Sequence, residues 1–419
     1  MGLWNFLKRL LFGAGRRPAG RQISPRHRKA SRSRPVLKTL RYKKQYARTK
    51  IDPPESATPP YPFARRNPRT GQYLDLSAGT DRDRLRDWNL PELETLDDLA
   101  RWLELPLGKV AWLTARISYG QSTSTVQQSH YHYCWIKKRR GGERLIESPK
   151  PILKAVQHKI LREILDRVPV HSDCHSFVAG RSIVTNAEPH VGQRVILKFD
   201  LHDFYPSVSI NRVTGIFQGM GYCREIALWL ARLTTNAIPP HMPFPDSGPA
   251  ALRPYTRRHL PQGAPTSPAL ANLSAFALDL RLSGLARSFG ANYTRYADDL
   301  TFSGPQRLIS GLRVLIPLAE KVIRSERFRV HPQKRKVIRN NQRQTVTGVV
   351  VNEHPNIGRM EYDRLKAILY NCTRSGPHAQ NRNGHDNFQE HLRGRIAQMS
   401  QINPARGAKL SALFAKIRW

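Results

Sequence analysis

The residues best suited to chemistry in this chain are Asp298 and Asp299, adjacent carboxylates in Tyr296-Ala297-Asp298-Asp299, and Asp200, which closes the run Val195-Ile196-Leu197-Lys198-Phe199. Neighbours on a straight strand point to opposite faces. The Asp pair can therefore serve one site only from a tight two-residue hairpin turn, and residues 291–295 and 300–303 have the strand character such a hairpin needs. Three carboxylates brought together repel one another, and a divalent cation relieves that repulsion more readily than protonation does. Mg²⁺ takes one or two protein carboxylates and completes its octahedron with water and phosphate oxygens. Two such ions about 4 Å apart can activate an attacking hydroxyl and stabilise a leaving pyrophosphate. The trio thus points to metal-dependent nucleotide polymerisation, although a doubled Asp alone is more often a solvated turn.

The elements that must position these acids can be read from periodicity. Thr95-Leu-Asp-Asp98 starts a helix with Leu99, Trp102 and Leu103 on one face, and a second short helix covers Gly108 to Ala115. Tyr131 to Ile146 alternates around Arg139-Arg140-Gly141-Gly142, a hairpin signal. Pro151 opens a long helix whose Leu153, Val156, Ile160, Leu161, Ile164 and Leu165 form a buried stripe. Val195 to Phe199 is an apolar strand, Ile226 to Leu233 and Pro268 to Leu285 are helices, and Tyr293–Tyr296 with Leu300–Phe302 make the catalytic hairpin. Lys336 to Val351 suggests another strand pair, and three helices, at 362–370, 390–399 and 408–417, end the chain.

Charge narrows the partner. The 419 residues carry a net charge of +38, which implies a polyanion. The first fifty residues hold sixteen Lys and Arg and no acid, and residues from Gly15 to about Gly71 are rich in Arg, Pro, Ser and Lys, as expected of a disordered arm that lies along phosphates. A short amphipathic segment, Leu3, Phe6, Leu7, Leu10 and Leu11, precedes that arm. Cys134, Cys174, Cys223 and Cys372 form no Cys-x-x-Cys pair, which suits a reducing, intracellular compartment. His171-Ser172-Asp173-Cys174-His175 has no second ligand pair at a suitable spacing, which argues against zinc. No cleavable leader, myristoylation signal or membrane span is expected.

The order of further motifs identifies a family resemblance. Asp200 leads into Leu201-His202-Asp203-Phe204-Tyr205-Pro206-Ser207, and Leu260-Pro261-Gln262-Gly263-Ala264-Pro265-Thr266-Ser267-Pro268 precedes the paired acids. That succession resembles the palm of the reverse transcriptases. Asn186-Ala187-x-x-His190 in the 175–190 segment, Val346-Thr347-Gly348, and the tail around Gly394-Arg395-Ile396, Asn403-Pro404-Ala405-Arg406-Gly407 and Leu413-Phe414 look like retron reverse transcriptases over roughly residues 92–419. The long basic start departs from the shorter retron enzymes.

The resemblance implies an α+β, right-hand polymerase fold with fingers, a palm of antiparallel sheet plus helices, and a helical thumb. Its expected divisions are a largely disordered extension at 1–71, an N-terminal helical cap at 72–120, fingers at 121–194, palm at 195–345 with a fingers insertion at about 210–260, and a thumb or RNA-recognition region at 346–419. Asp200, Asp298 and Asp299, with the Leu201 carbonyl, would hold two Mg²⁺ ions, Asp299 assisting. Tyr205 would stand against the incoming sugar and pass a deoxyribose. Arg144 would grip triphosphate, and Gln262 and Gly263 would approach the nucleotide and template. Asn186, His190, Arg393, Arg395, Arg406 and Lys409 would contact RNA.

The implied activity is RNA-directed DNA polymerisation that copies part of a cognate structured non-coding RNA, starting from a guanosine 2′-hydroxyl, into a branched single-stranded DNA. Implied partners are that RNA, its DNA product and dNTPs, with a retron effector protein and host RNase H as further candidates; the setting is a bacterial cytoplasm and anti-phage defence. Two alternatives remain open. Another retroelement polymerase is one, although no endonuclease region follows the thumb, as a group II intron maturase would have, and Gln262-Gly263 is in the usual polymerase form, unlike the diversity-generating elements. The other is a catalytically silent RNA-binding scaffold, against which stand three acids that a pure binder would not need.

Overall fold

Aromatic side chains near the N-terminus order a stretch that composition assigns to a disordered arm. The computed structural model describes residues 55–114, 129–138, 141–239, 242–246 and 248–419. The expectations for residues 1–54, Ala115, and Arg139 and Arg140 at the hairpin tip lie outside the described residues. Within 55–71 the disorder expectation fails. Strands β1 (Glu55–Ser56), β2 (Arg65–Arg66) and β3 (Tyr73–Leu74) form a small antiparallel sheet in the order β1-β3-β2. The Tyr61 hydroxyl accepts from the Leu76 amide at 3.1 Å, and Phe63 meets Trp229 edge-on at 6.0 Å. Rings of this kind give a proline-rich segment enough contact area to dock without long regular elements.

Helix α1 (Arg82–Asp87), also unanticipated, is capped by Asp81, whose side chain accepts from the Arg84 amide, and it buries Leu85. Helix α2 (Leu96–Trp102) carries the expected capping box between Thr95 and Asp98, a device worth about 1 kcal/mol. Helix α3 (Leu107–Leu113) follows Pro106. All three share the main core with the rest of the chain through Leu85, Leu99 and Val110.

Strands β4 (Tyr131–Lys137) and β5 (Glu143–Pro149) pair antiparallel, with Lys137 opposite Glu143. Helix α4 (Pro151–Glu163) opens on its proline and buries Leu153, Val156 and Ile160 in one stripe. Helix α5 (Ile183–Ala187) is capped by Ser182. A separate small core of Leu145, Met242 and Tyr255 joins the β4–β5 hairpin to the segment before His259.

The acids are placed by one antiparallel sheet. It comprises β6 (Val195–Asp200), β7 (Asn292–Tyr296), β8 (Asp299–Gly304) and β9 (Lys336–Arg339), ordered β7-β8-β6-β9. Between β6 and β7 come helices α6 (Ile210–Gly219), α7 (Arg224–Thr234), α8 (Ser267–Ser274) and α9 (Phe276–Ser288), and α10 (Gln306–Ser325) follows β8. Val195, Leu197 and Phe199 of β6 join the main core, whereas Ile196 joins Ala187, Val346, Val349 and Val351 in another. Because side chains alternate along a strand, Asp200 and its direct cross-strand partner Asp299 lie on the Ile196 face, away from the main core.

Two expectations need correction here. The helix read from Pro268 to Leu285 is broken at Ala275 into α8 and α9. No Pro or Gly marks the break; it brings Asn272 of α8 and Asp279 of α9 together on Arg295, a tertiary demand that overrides local propensity. The hairpin of β10 (Thr345–Val346) and β11 (Val349–Val350), assigned from sequence to the thumb region, packs its valines with Ile196 of the sheet. Helices α11 (Arg359–Ser375), α12 (Phe388–Ile402) and α13 (Pro404–Phe414) have their own core, built from Leu365, Leu369, Leu392, Ile396 and Leu410. Among the described residues no helix is long and apolar enough to cross a membrane.

Candidate active site

The β7–β8 connection has two residues, Ala297 and Asp298, because Tyr296 pairs with Asp299. Ala297 sits at φ +54°, which primed two-residue hairpin turns require at their first position. The doubled acid is therefore divided: Asp298 lies in the turn and Asp299 opens β8. Asp299 faces Asp200 directly across the β6–β8 ladder, where opposed Cβ atoms lie about 4.5–5.5 Å apart and like charges are unfavourable. The Leu201 amide donates to the Asp298 carbonyl at 2.9 Å, and the His331 amide donates to the Asp200 carbonyl at 2.8 Å. The three acids thus hang from a cross-linked piece of backbone, although they are about a hundred residues apart in sequence.

A buried ionic network fixes the turn from behind. Arg295 and Asp279 are both fully buried, with Arg295 Nε to Asp279 Oδ1 and Arg295 Nη2 to Asp279 Oδ2 at 2.7 Å each. Tyr293 donates to Asp279 Oδ1 at 2.9 Å, and Arg295 Nη1 donates to Asn272 Oδ1 at 3.0 Å and to the Ala297 carbonyl at 3.2 Å. Burial alone would lower the Arg295 pKa, but the Asp279 charge and hydrogen bonds raise it, so the guanidinium stays charged. On the other side, Ser176 Oγ accepts from the Ala297 amide at 2.7 Å, and the His175 amide donates to the Arg295 carbonyl at 2.8 Å. Sequence reasoning passed over Arg295, Asp279 and Ser176. An arginine within the strand that leads into the acids was the available signal.

Crowding shows in the carboxyl energetics. Asp298 is pushed up to about 6, first by burial and then by the charges of Asp299 and Asp200. Asp299 is also raised, chiefly by burial and further by Asp200, while Lys198 and Lys334 pull it back. One cationic partner is already at hand: Lys334 Nζ contacts both Asp200 oxygens, at 2.9 and 3.0 Å. Among the described residues no three His, Cys, Asp or Glu side chains are gathered in ready metal-ligand geometry. The donor set is nonetheless all oxygen, mutually repelling and attractive to a cation, which fits a hard divalent ion.

Around the acids stand the other expected residues. Tyr205 packs edge-on against Phe204 at 5.6 Å, and its hydroxyl is pushed up to about 12 by burial and by Asp298, while Arg295 and, less, Arg144 draw it down. Tyr205, Asp298 and Arg144 therefore share one electrostatic neighbourhood, with Arg144 exposed on β5. The loop holding Gln262 and Gly263 docks on the same strand, since the Glu147 amide donates to the Gln262 carbonyl at 2.8 Å. Gly263 has φ +125°, and a Cβ there would lie 3.1 Å from the Glu147 carbonyl. The close approach this glycine permits is thus to β5. Glu147 is itself buried between Asn236 Nδ2 and His259 Nε2, at 2.8 Å each, a second network the sequence did not disclose.

The expected RNA contacts divide. Asn186 and His190 are buried, at 1% and 0% exposure, and the RNA-contact expectation for both is corrected. His190 bridges Ser303 Oγ at 2.7 Å and Thr294 Oγ1 at 2.8 Å; burial pushes it down to about 3, so the neutral ring pins β7 to β8. Asn186 Nδ2 reaches Thr347 Oγ1 at 3.4 Å, linking α5 to the β10–β11 hairpin. The Asn-Ala-x-x-His motif is a structural clamp on the sheet. Arg393 and Lys409 are exposed and Arg395 is half-buried. Arg406 is also half-buried, 4.8 Å from the Tyr362 ring centre, and bonds to the Ile357 carbonyl at 3.4 Å.

Comparison with known proteins agrees with this geometry. The family model described as "Reverse transcriptase (RNA-dependent DNA polymerase)" matches residues 136–351. The retron Mx65 reverse transcriptase of Myxococcus xanthus is 39% identical over 331 residues, covering 79% of this chain and 74% of that protein. The retron Mx162 reverse transcriptase of the same organism is 38% identical, covering 80% and 69%. The retron Ec86 reverse transcriptase of Escherichia coli is 30% identical, covering 80% and 92%.

Proposed function

This chain belongs to the retron reverse transcriptases and is an RNA-directed DNA polymerase; from that premise we propose how its residues divide the work and what its product is. The observation that carries the reading is the direct pairing of Asp200 with Asp299 beside a turn that presents Asp298. Asp200, Asp298 and the Leu201 carbonyl would hold two Mg²⁺ ions, with Asp299 assisting. When bound, those ions neutralise triphosphate charge and lower the pKa of the attacking hydroxyl. The remainder is positioning by the chain, as in other phosphoryl transfers. Arg144 pairs with the triphosphate as a planar cation. Tyr205 closes the space that a 2′-hydroxyl would occupy. Gln262 holds the sugar and base from a loop anchored on β5. Lys334, which contacts both Asp200 oxygens, would give up that contact to a bound cation.

The β4–β5 hairpin acts as fingers, the β6–β9 sheet as palm, and α11 to α13 as a thumb whose Arg393, Arg395, Arg406 and Lys409 meet RNA phosphates. The substrate is a structured non-coding RNA, copied from the 2′-hydroxyl of an internal guanosine into a short DNA that stays branched to it. The product serves anti-phage defence, with a retron effector protein and host RNase H as partners. Sequencing the nucleic acid that co-purifies with the chain tests this reading. A 2′–5′ branch between a guanosine and a short DNA is expected; RNA alone, or linear DNA, would reject it.

A further inference from the structure

Phe177 has a conformation and an exposure that its packing does not repay. Its φ is +55°, a genuine outlier for a bulky residue, and the residue is 59% exposed. A lone exposed phenylalanine needs no explanation. Strain combined with exposure does, because strained backbone persists only where the surroundings over-determine it. Here they do. Ser176 Oγ accepts from the Ala297 amide at 2.7 Å, the Ser176 carbonyl accepts from Asn272 Nδ2 at 2.8 Å, and the His175 amide donates to the Arg295 carbonyl at 2.8 Å. Every one of these bonds ties the segment to the catalytic turn or to the network behind it. The ring lies 6.5 Å from that of Tyr296, tilted by 38°, and Tyr296 is two residues before Asp298.

We infer that Phe177 is a stacking contact for a base of the template–primer duplex at the lip of the catalytic turn. A rigid, exposed aromatic face beside the reacting groups suits a nucleobase, since every base offers a π-face and stacking tolerates any sequence. The bond from the Ala297 amide to Ser176, the residue before Phe177, couples the seat of the duplex to the position of Asp298. The inference rests on the polymerase reading and adds to it a residue outside the acid and nucleotide set.

The test measures binding of an RNA template annealed to a DNA primer by the full chain, with no nucleotide present. Anisotropy reports affinity, and 2-aminopurine at the primer terminus, or opposite it, reports stacking. Phe177→Gly and Phe177→Leu are expected to weaken binding about 5- to 150-fold, the range of a single base–aromatic stack, and to lose 2-aminopurine quenching. Phe177→Trp keeps both. The urea midpoint of Phe177→Gly stays level or rises, because glycine relieves the strain. Wild-type binding by the glycine variant, equal loss in Trp and Gly, or a glycine variant that unfolds would each overturn the inference. Because no turnover is read, a failed metal assignment would leave these outcomes unchanged and would show itself in primer extension alone.

Discussion

Replacing Asp298 by asparagine is expected to make the folded chain more stable and inactive at once. Its carboxyl moves from an ordinary 3.8 to about 6, first through burial and then through Asp299 and Asp200. At about 1.4 kcal/mol per pH unit, that penalises the charged form by up to about 3 kcal/mol. The folded-state value lies above the unfolded one, so the folded chain holds this proton more tightly. The stability this group contributes is fully present below about pH 4 and is lost as pH rises through about 6. Asparagine carries no such proton. Urea unfolding in the presence of a chelator, run at pH 4, 5, 6 and 7.5, should therefore show Asp298→Asn level with wild type at the acid end and more stable by up to about 3 kcal/mol at pH 7.5. RNA-templated extension by the same variant should be lost. A variant that is less stable at pH 7.5, or a difference that does not grow between pH 4 and 6, would refute the crowding of the three acids.

Three other outcomes follow from the networks around the turn. Arg295→Gln leaves the buried Asp279 without its cationic partner and with the Tyr293 hydroxyl as its remaining donor, which should cost about 3–5 kcal/mol in urea unfolding; Asp279→Asn added to it should recover much of the stability but not the extension rate, since the Ala297 carbonyl still lacks its guanidinium donor. Tyr205→Ala should admit ribonucleotides, seen as a fall in the ratio of kcat/KM for dNTP over NTP, and unchanged discrimination would remove the gate. Gly263→Ala combines a φ of +125° with a Cβ 3.1 Å from the Glu147 carbonyl, so a loss of about 1–3 kcal/mol and a raised KM for dNTP are expected, measured by unfolding and by steady-state extension.

What the sequence disclosed was whatever local pattern encodes. A two-residue turn follows from paired acids between strand-like runs, although its residues are Ala297 and Asp298 rather than the Asp pair, because Asp299 already belongs to β8; the α2 cap follows from Thr95 and Asp98, and the α4 stripe from apolar spacing. Contacts between distant segments were not legible. Nothing near Ala275 marks the break between α8 and α9; the residues on either side of it, Asn272 and Asp279, meet on Arg295, some twenty residues later. His190 and Asn186 carry a family motif, but only the fold shows them sealed inside the sheet. Gly263 was expected to let the backbone approach nucleotide and template; the backbone that lies close to it in the fold is that of Glu147. Tyr61 and Phe63 show how two aromatic anchors order a segment whose composition suggests none.

The most direct test of the central claim is single-turnover incorporation of a dNTP onto a primer annealed to an RNA template with Mg²⁺, comparing the full chain with Asp200→Asn. The three-carboxylate account predicts incorporation by the first and a loss on the order of a thousandfold or more in the second, the several kcal/mol that a catalytic metal supplies. Comparable incorporation by both would contradict it.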